Sequence, residues 1–590
     1  MKNKFLLIPL TALAIGINSC SDTMDYHEYS LVDKDYMELS FGNIGGMMTS
    51  LYNAVPYDFG NFSNGAMQAC ATDEAEYSHL GNAIEDFYNG GWTPANAKGG
   101  NWSSMYEGIM RVGRFLSEFQ DLDFEELKLN ADYPQQMFRY ENYQYEARFL
   151  RAYYYFILVR QYGGVPIVDS DMNAEELNQL SRNTSDEVFQ YIFDELDDIK
   201  DKIIVDYADL GENKLGLTQS GRANQVAVLA LRAHAALYWA SPLFNPTGDT
   251  NRYKTAANYG KELFEACDEI GYDLTKKYED LWASNCYSKW TIAKELLYCR
   301  RYYKNVSGDN LVESNNFPAG FEGCSGGTCP SQNLVDAFEM KNGKRIDEEG
   351  SGYDPANPFA NRDPRLAAIV ARDGDVWPTS YNTALQCYEG GVNGLPLSNA
   401  TTTGYYLKKF CNGAISFAAN SSYKESPHVF LNFRYAGALL DYAEAVFKAT
   451  GDFNSAADGF DITALDALNM IRKRAGITQL KAANLTPDEF WSRLQNERFV
   501  ELCFEGHRFW DVRRWKEGPK YFTSITRNKV TMDEDGVVTY SPYKVDRMWN
   551  DRNYFYPIPQ DQIMKNPNLK QNPGWGGNEW DSTMPTSSAN

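Results

Sequence analysis

The stretch richest in reactive side chains runs from Asn496 to Trp515, NERFVELCFEGHRFWDVRRW. Glu497, Glu501 and Glu505 recur every fourth residue, so on a helix they form one acidic stripe, and Arg508, seven residues after Glu501, falls on the same side. Carboxylates one helical turn apart could act as general acid and base, since glycosidase pairs stand about 5 to 9 Å apart. Arg498, Arg508, Arg513 and Arg514 argue against that chemistry, because nearby cations keep carboxylates ionised, the opposite of what a general acid needs. The stripe reads instead as an ion-pair ladder in a scaffold. His507 has no second His or Cys at ligand spacing beside it and reads as a packing or hydrogen-bonding residue. Phe499, Leu502, Cys503, Phe509, Trp510 and Trp515 fill the other faces, so the segment must be wedged between neighbours. Gly506 either admits another backbone or splits the run into two helices.

The remaining chemistry is aromatic. Tyr, Trp and Phe make up 14% of the 590 residues, with 40 Tyr and 12 Trp, more than a core alone requires. Some of these rings are expected to line a surface for flat, partly apolar ligands. With 56 basic and 79 acidic side chains the net charge is −23, which argues against nucleic acid, whose phosphates call for clustered Lys and Arg. An uncharged ligand fits better.

At the N-terminus, Lys2 and Lys4 precede an apolar run from Phe5 to Ile17 that closes at Asn18-Ser19-Cys20. This reads as an export signal over residues 1–19, too short to span a bilayer. A Cys closing such a run resembles a bacterial lipobox, making Cys20 the expected lipidated residue; ordinary secretion with a chance Cys is the alternative. Each acyl CH2 buried would contribute about 0.8 kcal/mol to anchoring. Ser21, Asp22 and Asp25 resemble the acidic signal that sends Bacteroidetes lipoproteins to the cell surface, and residues 20–35 suit a tether. Nine further cysteines leave at least one thiol unpaired. Cys324 and Cys329 bracket Ser-Gly-Gly-Thr and could close a small loop; a metal knuckle there lacks a second Cys pair or His.

The elements that must position these groups are mostly helical. Helices are expected over 36–54, 105–119, 146–162, 185–202, from Gly221-Arg222-Ala223 to Trp239, 253–270, 432–448 and 464–475, with Thr184 or Ser185 as a cap and Gly163-Gly164-Val165-Pro166 as a stop. Paired amphipathic helices at intervals of roughly 35 to 45 residues suggest a helical array. Two stretches break the helical period. Residues 56–104 alternate glycines with rings around Thr72-Asp73-Glu74, a loop long enough to be functional. Residues 284–427 are rich in Gly, Pro, Asn and Tyr, with short strands expected at 295–301 and 405–410. The parts expected are thus an N-terminal helical part over 36–283, an irregular part over 284–427 and a C-terminal helical part over 428–590.

Several of these motifs occur together in one family. The 496–515 run, LRAYYYF with YGGVPI at 150–167, the GRA-led helix from 221, and the tail with Tyr554-Phe555-Tyr556-Pro557-Ile558-Pro559 and Asn566 to Gly574 together resemble the SusD/RagB family of outer-membrane glycan-binding lipoproteins. The resemblance implies a mainly α fold, a tetratricopeptide-like scaffold of helix pairs with a large loop-rich part containing short strands. It also implies capture of an oligo- or polysaccharide without catalysis, for delivery to a SusC-like, TonB-dependent outer-membrane transporter. In such a family, loops present aromatic planes to the sugar, and here the matching positions are Asp73, Tyr77, Trp92, Asn101 and Trp102, joined by Arg300, Tyr302, Tyr303 and Phe321 from the middle segment. Asp73 could equally cap a turn, and Trp92 and Trp102 could fold under their own loop. No cofactor is expected; a structural calcium on an acidic loop stays open, although no D-x-[DN]-x-[DN]-G pattern is visible. A glycoside hydrolase and an adhesive or structural surface lipoprotein are the competing readings.

Overall fold

The computed structural model describes residues 33–168, 172, 174–207, 221–283, 286–302 and 311–584. Cys20, the export segment and most of the acidic tether lie outside them. Ten helices carry the architecture: α1 (Phe41–Leu51), α2 (Trp102–Glu118), α3 (Tyr133–Tyr162), α4 (Ser185–Ile199), α5 (Gln225–Ala240), α6 (Thr250–Ile270), α7 (Tyr435–Thr450), α8 (Ala464–Ala475), α9 (Pro487–Glu501) and α10 (His507–Arg514). Local chemistry sets their ends. Thr184 with Glu187 and Thr463 with Asp466 form capping boxes for α4 and α8, each satisfying backbone N–H groups that a helix start leaves open. Pro134 sits in the first turn of α3, thirteen residues before the expected start, and Gly163 ends that helix.

Neighbours in sequence pack on one another: α2 on α3, α3 on α4, α5 on α6, α7 on α8, while α7 also lies across α5, α6 and α9. The small residues Ala147 and Ala152 of α3 are fully buried among Phe149, Tyr154, Tyr155 and Phe156, which lets rings from adjacent helices nest into the gaps. The fold is mainly α.

Among the described residues, eight strands form four two-stranded antiparallel sheets: β1 (Ala75–Tyr77) with β3 (Thr328–Pro330), β2 (Leu296–Tyr302) with β6 (His428–Arg434), β4 (Val370–Ala371) with β5 (Tyr406–Leu407), and β7 (Ser524–Met532) with β8 (Val538–Asp546). The last pair is a hairpin of two nine-residue strands that the helical pattern of the C-terminal part does not predict; its signal is Asp535-Gly536 between β-branched runs.

The acidic stripe is resolved into a buried lattice. α9 stops at Glu501, and Gly506, at φ +79°, turns the chain into α10. The ladder is therefore split, and Arg508 pairs with Asp73 rather than Glu501. Glu497 meets Arg365 at 2.6 Å and Arg472 at 3.2 Å. Glu501 meets Arg365 and Arg434, both at 2.7 Å, and Arg474. Glu505 meets Lys409 at 2.6 Å and Arg434 at 2.7 Å. Burial pushes the Glu505 carboxyl up, but Arg434 and Lys409 outweigh it and hold the group below its ordinary range. Charges this deep persist only because each has a partner.

The nine described cysteines are all free thiols. Cys324 and Cys329 do not close the loop between them: Cys324 Sγ lies 3.3 Å from the Tyr381 hydroxyl, and Cys329 is fully buried with its Sγ 3.4 Å from the Gly327 carbonyl.

Candidate functional site

A cleft of about 460 Å3 opens where five segments meet. The loop after α1 supplies Tyr57, Asp58, Asn61 and Phe62; the entry to α2 supplies Gly99, Gly100 and Asn101; the end of α3 supplies Tyr153, Phe156, Arg160 and Gln161; β6 supplies Phe430 and Asn432, with Arg300 from β2; and the start of α10 supplies His507 and Trp510. Each group is fixed by packing. Gly99, at φ +64°, lies so close to the Phe62 ring that a Cβ would stand 2.5 Å from it, and only glycine allows that approach. Arg300, opposite Phe430 in the β2–β6 register, lies over Tyr57 at 4.5 Å and donates to the carbonyls of Asn53, at 3.2 Å, and Val55. Arg160 lies over Trp510 at 4.4 Å. Asn432 donates through Nδ2 to Pro56 O and Tyr153 Oη, leaving its buried Oδ1 without a partner among the described residues. Gln161 Oε1 accepts the Asn101 N–H at 3.0 Å, holding the lip of the cleft.

The titratable groups do not form an acid–base pair. Burial pushes the Asp58 carboxyl up to about 6, against backbone N–H bonds from Gln68 and Gly60 that clasp both its oxygens. Glu505 also touches the cleft, yet its carboxylate is 1% exposed and bound on both oxygens by cations. A raised and a lowered carboxyl are what a hydrolase uses, but neither has an oxygen free for a sugar. Burial holds His507 down at about 3 and therefore neutral. What the cleft offers is half-exposed ring faces, amides and guanidinium groups, the equipment for a ligand with C–H faces and hydroxyl edges.

Of the expected site residues, the structure brings Asn101 and Arg300 together in this cleft. It places Trp92 and Trp102 elsewhere, as packing residues. Trp92 is 2% exposed, enclosed by Phe87, Tyr556 and Trp575, and Trp102 is 6% exposed against Tyr106 and Tyr162. The expectation that these planes face a sugar is corrected: the 56–104 loop packs against α3 and the C-terminal tail, and its largest rings fill that seam. Asp73 is likewise not at a ligand surface. Its carboxylate forms a two-pronged pair with Arg508 at 2.9 and 2.7 Å, 435 residues away. Tyr77 is buried in β1 opposite Thr328. Phe321 is half-buried, stacked on Tyr381 at 4.9 Å, and lies outside the cleft lining. Tyr302 ends β2, with its side chain outside what is described; Tyr303 lies outside the described residues.

Sequence reasoning missed Tyr57, Asn61, Phe62, Arg160, Asn432 and Trp510, and took His507 for a packing or hydrogen-bonding residue. Arg160 sits in the last turn of a helix, where a cation reads as a dipole partner. Pro56-Tyr57-Asp58 at the mouth of a Gly-rich loop was the one local signal.

Two sequence-family models match this chain. The SusD family model covers residues 294–575, and a model described as starch-binding associating with outer membrane covers residues 33–234. The chain belongs to the SusD family. That family is carbohydrate-binding and associated with the outer membrane. Among its members, SusD-like protein P2 of Formosa agariphila is 24% identical over 80% of each chain, and starch-binding protein SusD of Bacteroides thetaiotaomicron is 25% identical over 73% of this chain and 72% of its own. A SusD-like protein from Bacteroides fragilis has the same fold, with a TM-score of 0.72 at 23% identity over 92% of this chain and 98% of that one.

Proposed function

We propose that this SusD-family chain captures an oligo- or polysaccharide at the outer membrane in the cleft between Tyr57 and Trp510, and hands it intact to a SusC-like, TonB-dependent transporter. The observation that carries the reading is the cleft lining: half-exposed Tyr57 and Phe62 beside Asn61, Asn101, Asn432 and Arg300, with its two carboxylates occupied by protein partners. Rings stack on the apolar face of a sugar while amides and guanidinium groups meet its hydroxyls. The relative from Bacteroides thetaiotaomicron is named for starch binding, which supports a glycan as the ligand class here. Lipid at Cys20 would hold the protein on the membrane, facing the exterior, with the tether of residues 20–35 setting its reach.

Protein from residue 21 onward is expected to be retarded in affinity gels by at least one of a panel of starches, fructans, xylans, mannans and host glycans. In the same samples no reducing ends should accumulate. Release of reducing sugar would favour a hydrolase. Retardation by no glycan, with tight binding to a protein, would favour an adhesin.

A further inference from the structure

The charges around the cleft are unevenly matched. With 79 acidic against 56 basic side chains, a buried arginine in this chain ordinarily has an acid at hand: Arg365, Arg434, Arg472 and Arg498 each face at least one carboxylate at 2.6 to 2.8 Å. Arg182 and Arg513 instead donate to backbone carbonyls. Arg160 does neither. Among the described residues no carboxylate pairs with it and its buried Nε has no acceptor. Its plane is held by aromatic faces alone, Trp510 at 4.4 Å and Phe156 at 5.4 Å. It lines the cleft together with Arg300. The acids of the same wall offer it nothing, because Glu505 is held by Lys409 and Arg434 and Asp58 by the N–H groups of Gly60 and Gln68.

A guanidinium held over an indole face and left without a counter-ion is poised to receive an anion: its position is fixed by the rings, so less side-chain freedom is lost on binding. We propose that the ligand of this cleft is an anionic glycan, with Arg160 meeting its carboxylate or sulfate ester while Asn101 and Asn432 meet its hydroxyls. This rests on the glycan-binding reading above and narrows it to sugars bearing a fixed negative charge, against the uncharged ligand that net charge alone suggested. The overall charge of −23 does not prevent this, since repulsion from distant surface acids is screened beyond about 10 Å at 0.1 M salt, whereas the contact with Arg160 is direct.

The test is a glycan array holding matched pairs: polygalacturonate and its methyl ester, alginate and its carboxyl-reduced form, dextran sulfate and dextran, with neutral glucans, xylans and mannans. The wild-type chain is expected to prefer a charged member over its neutral twin at least tenfold, the uronate and sulfate arms showing which group is read. Arg160→Gln should remove that preference, and Arg160→Lys should restore part of it, with the thermal unfolding midpoint of each variant as the check on folding. Binding of neutral glycans as strong as of charged ones, or a charge preference untouched in folded Arg160→Gln, overturns the proposal while leaving glycan capture standing. Binding to no glycan on the array brings down both. The charged-against-neutral comparison in the wild type needs no variant.

Discussion

Two regions of this protein use the same residue types to opposite ends. Beneath α9 and α10, arginines, glutamates and rings are sealed together, and every charge of the Glu497–Glu501–Glu505 series touches two or three opposite charges. At the start of α10, the cleft is lined by Tyr57, Arg160 and Trp510, with Arg160 over the indole and without an acid among the described residues. Residue type does not separate scaffold from site here; completeness of partnering does. A saturated network resists change and has no capacity for a ligand, whereas an incomplete one at a solvent-filled cleft is a receptor waiting for its missing member.

The comparison is broken most severely by removing a central anion of the sealed region. Glu501→Ala removes the anion that Arg365, Arg434 and Arg474 share, and we expect a loss of about 4 kcal/mol, measured by chemical unfolding, since each of three buried cations loses one of its compensating charges. Next comes Trp92→Ala, which empties a ring-lined site in the loop core. It should cost about 3 kcal/mol, with no change in glycan affinity of the protein that remains folded. An effect on affinity with stability intact would return Trp92 to the binding surface.

A third change sharpens the contrast through pH. Burial raises Glu74 to about 8, against the N–H of Phe504 and the cation Arg508, and Asp58 to about 6. A carboxyl whose pKa is higher folded than unfolded holds its proton more tightly in the native state. Its stabilising contribution is complete below the unfolded value of about 4 and is lost as pH rises through the folded one. From pH 7 to pH 5 the two carboxyls together add about 4 kcal/mol to the unfolding free energy. His507, held neutral in the fold and protonated once unfolded, takes back about 2 kcal/mol, and the net climb is about 2 kcal/mol, which Glu74→Gln should abolish. The smallest effect is expected at the cleft itself. Tyr57→Ala should leave the unfolding midpoint nearly unchanged and weaken glycan binding about tenfold, or 1.4 kcal/mol, whereas Phe321→Ala, outside the cleft, should change it less than twofold.

The helices were legible because their signals are local: a cap such as Thr184, the Gly163 stop, and small residues spaced among rings within one segment. The role of Glu501 as scaffold was legible in kind, because the arginines around it marked an ion-paired setting, but its actual partners, Arg365, Arg434 and Arg474, stand 27 or more positions away. The site was only partly so. Asn101 and Arg300 were found, but what makes them a site is the approach of α3, β6 and α10, and no spacing along the chain encodes that. The same distance hid the fate of Asp73, whose partner Arg508 stands 435 positions on. Conspicuous tryptophans misled for a related reason: Trp92 is enclosed by Tyr556 and Trp575 of the tail and Trp102 by Tyr162 of α3, partners that no local reading supplies.

The arrangement around Arg182 bears on how the chain acquires its shape. This guanidinium, ahead of α4, donates to the carbonyls of Gly164, Tyr162 and Lys570 and to the side chains of Asn572 and Ser582. The first third of the molecule is therefore stitched to residues made some 390 positions later. Contacts of such separation form slowly, since a long stretch must be ordered before they close. A nascent chain would lack this final seam until synthesis was nearly finished, so the last residues made are the ones that lock the first helices in place.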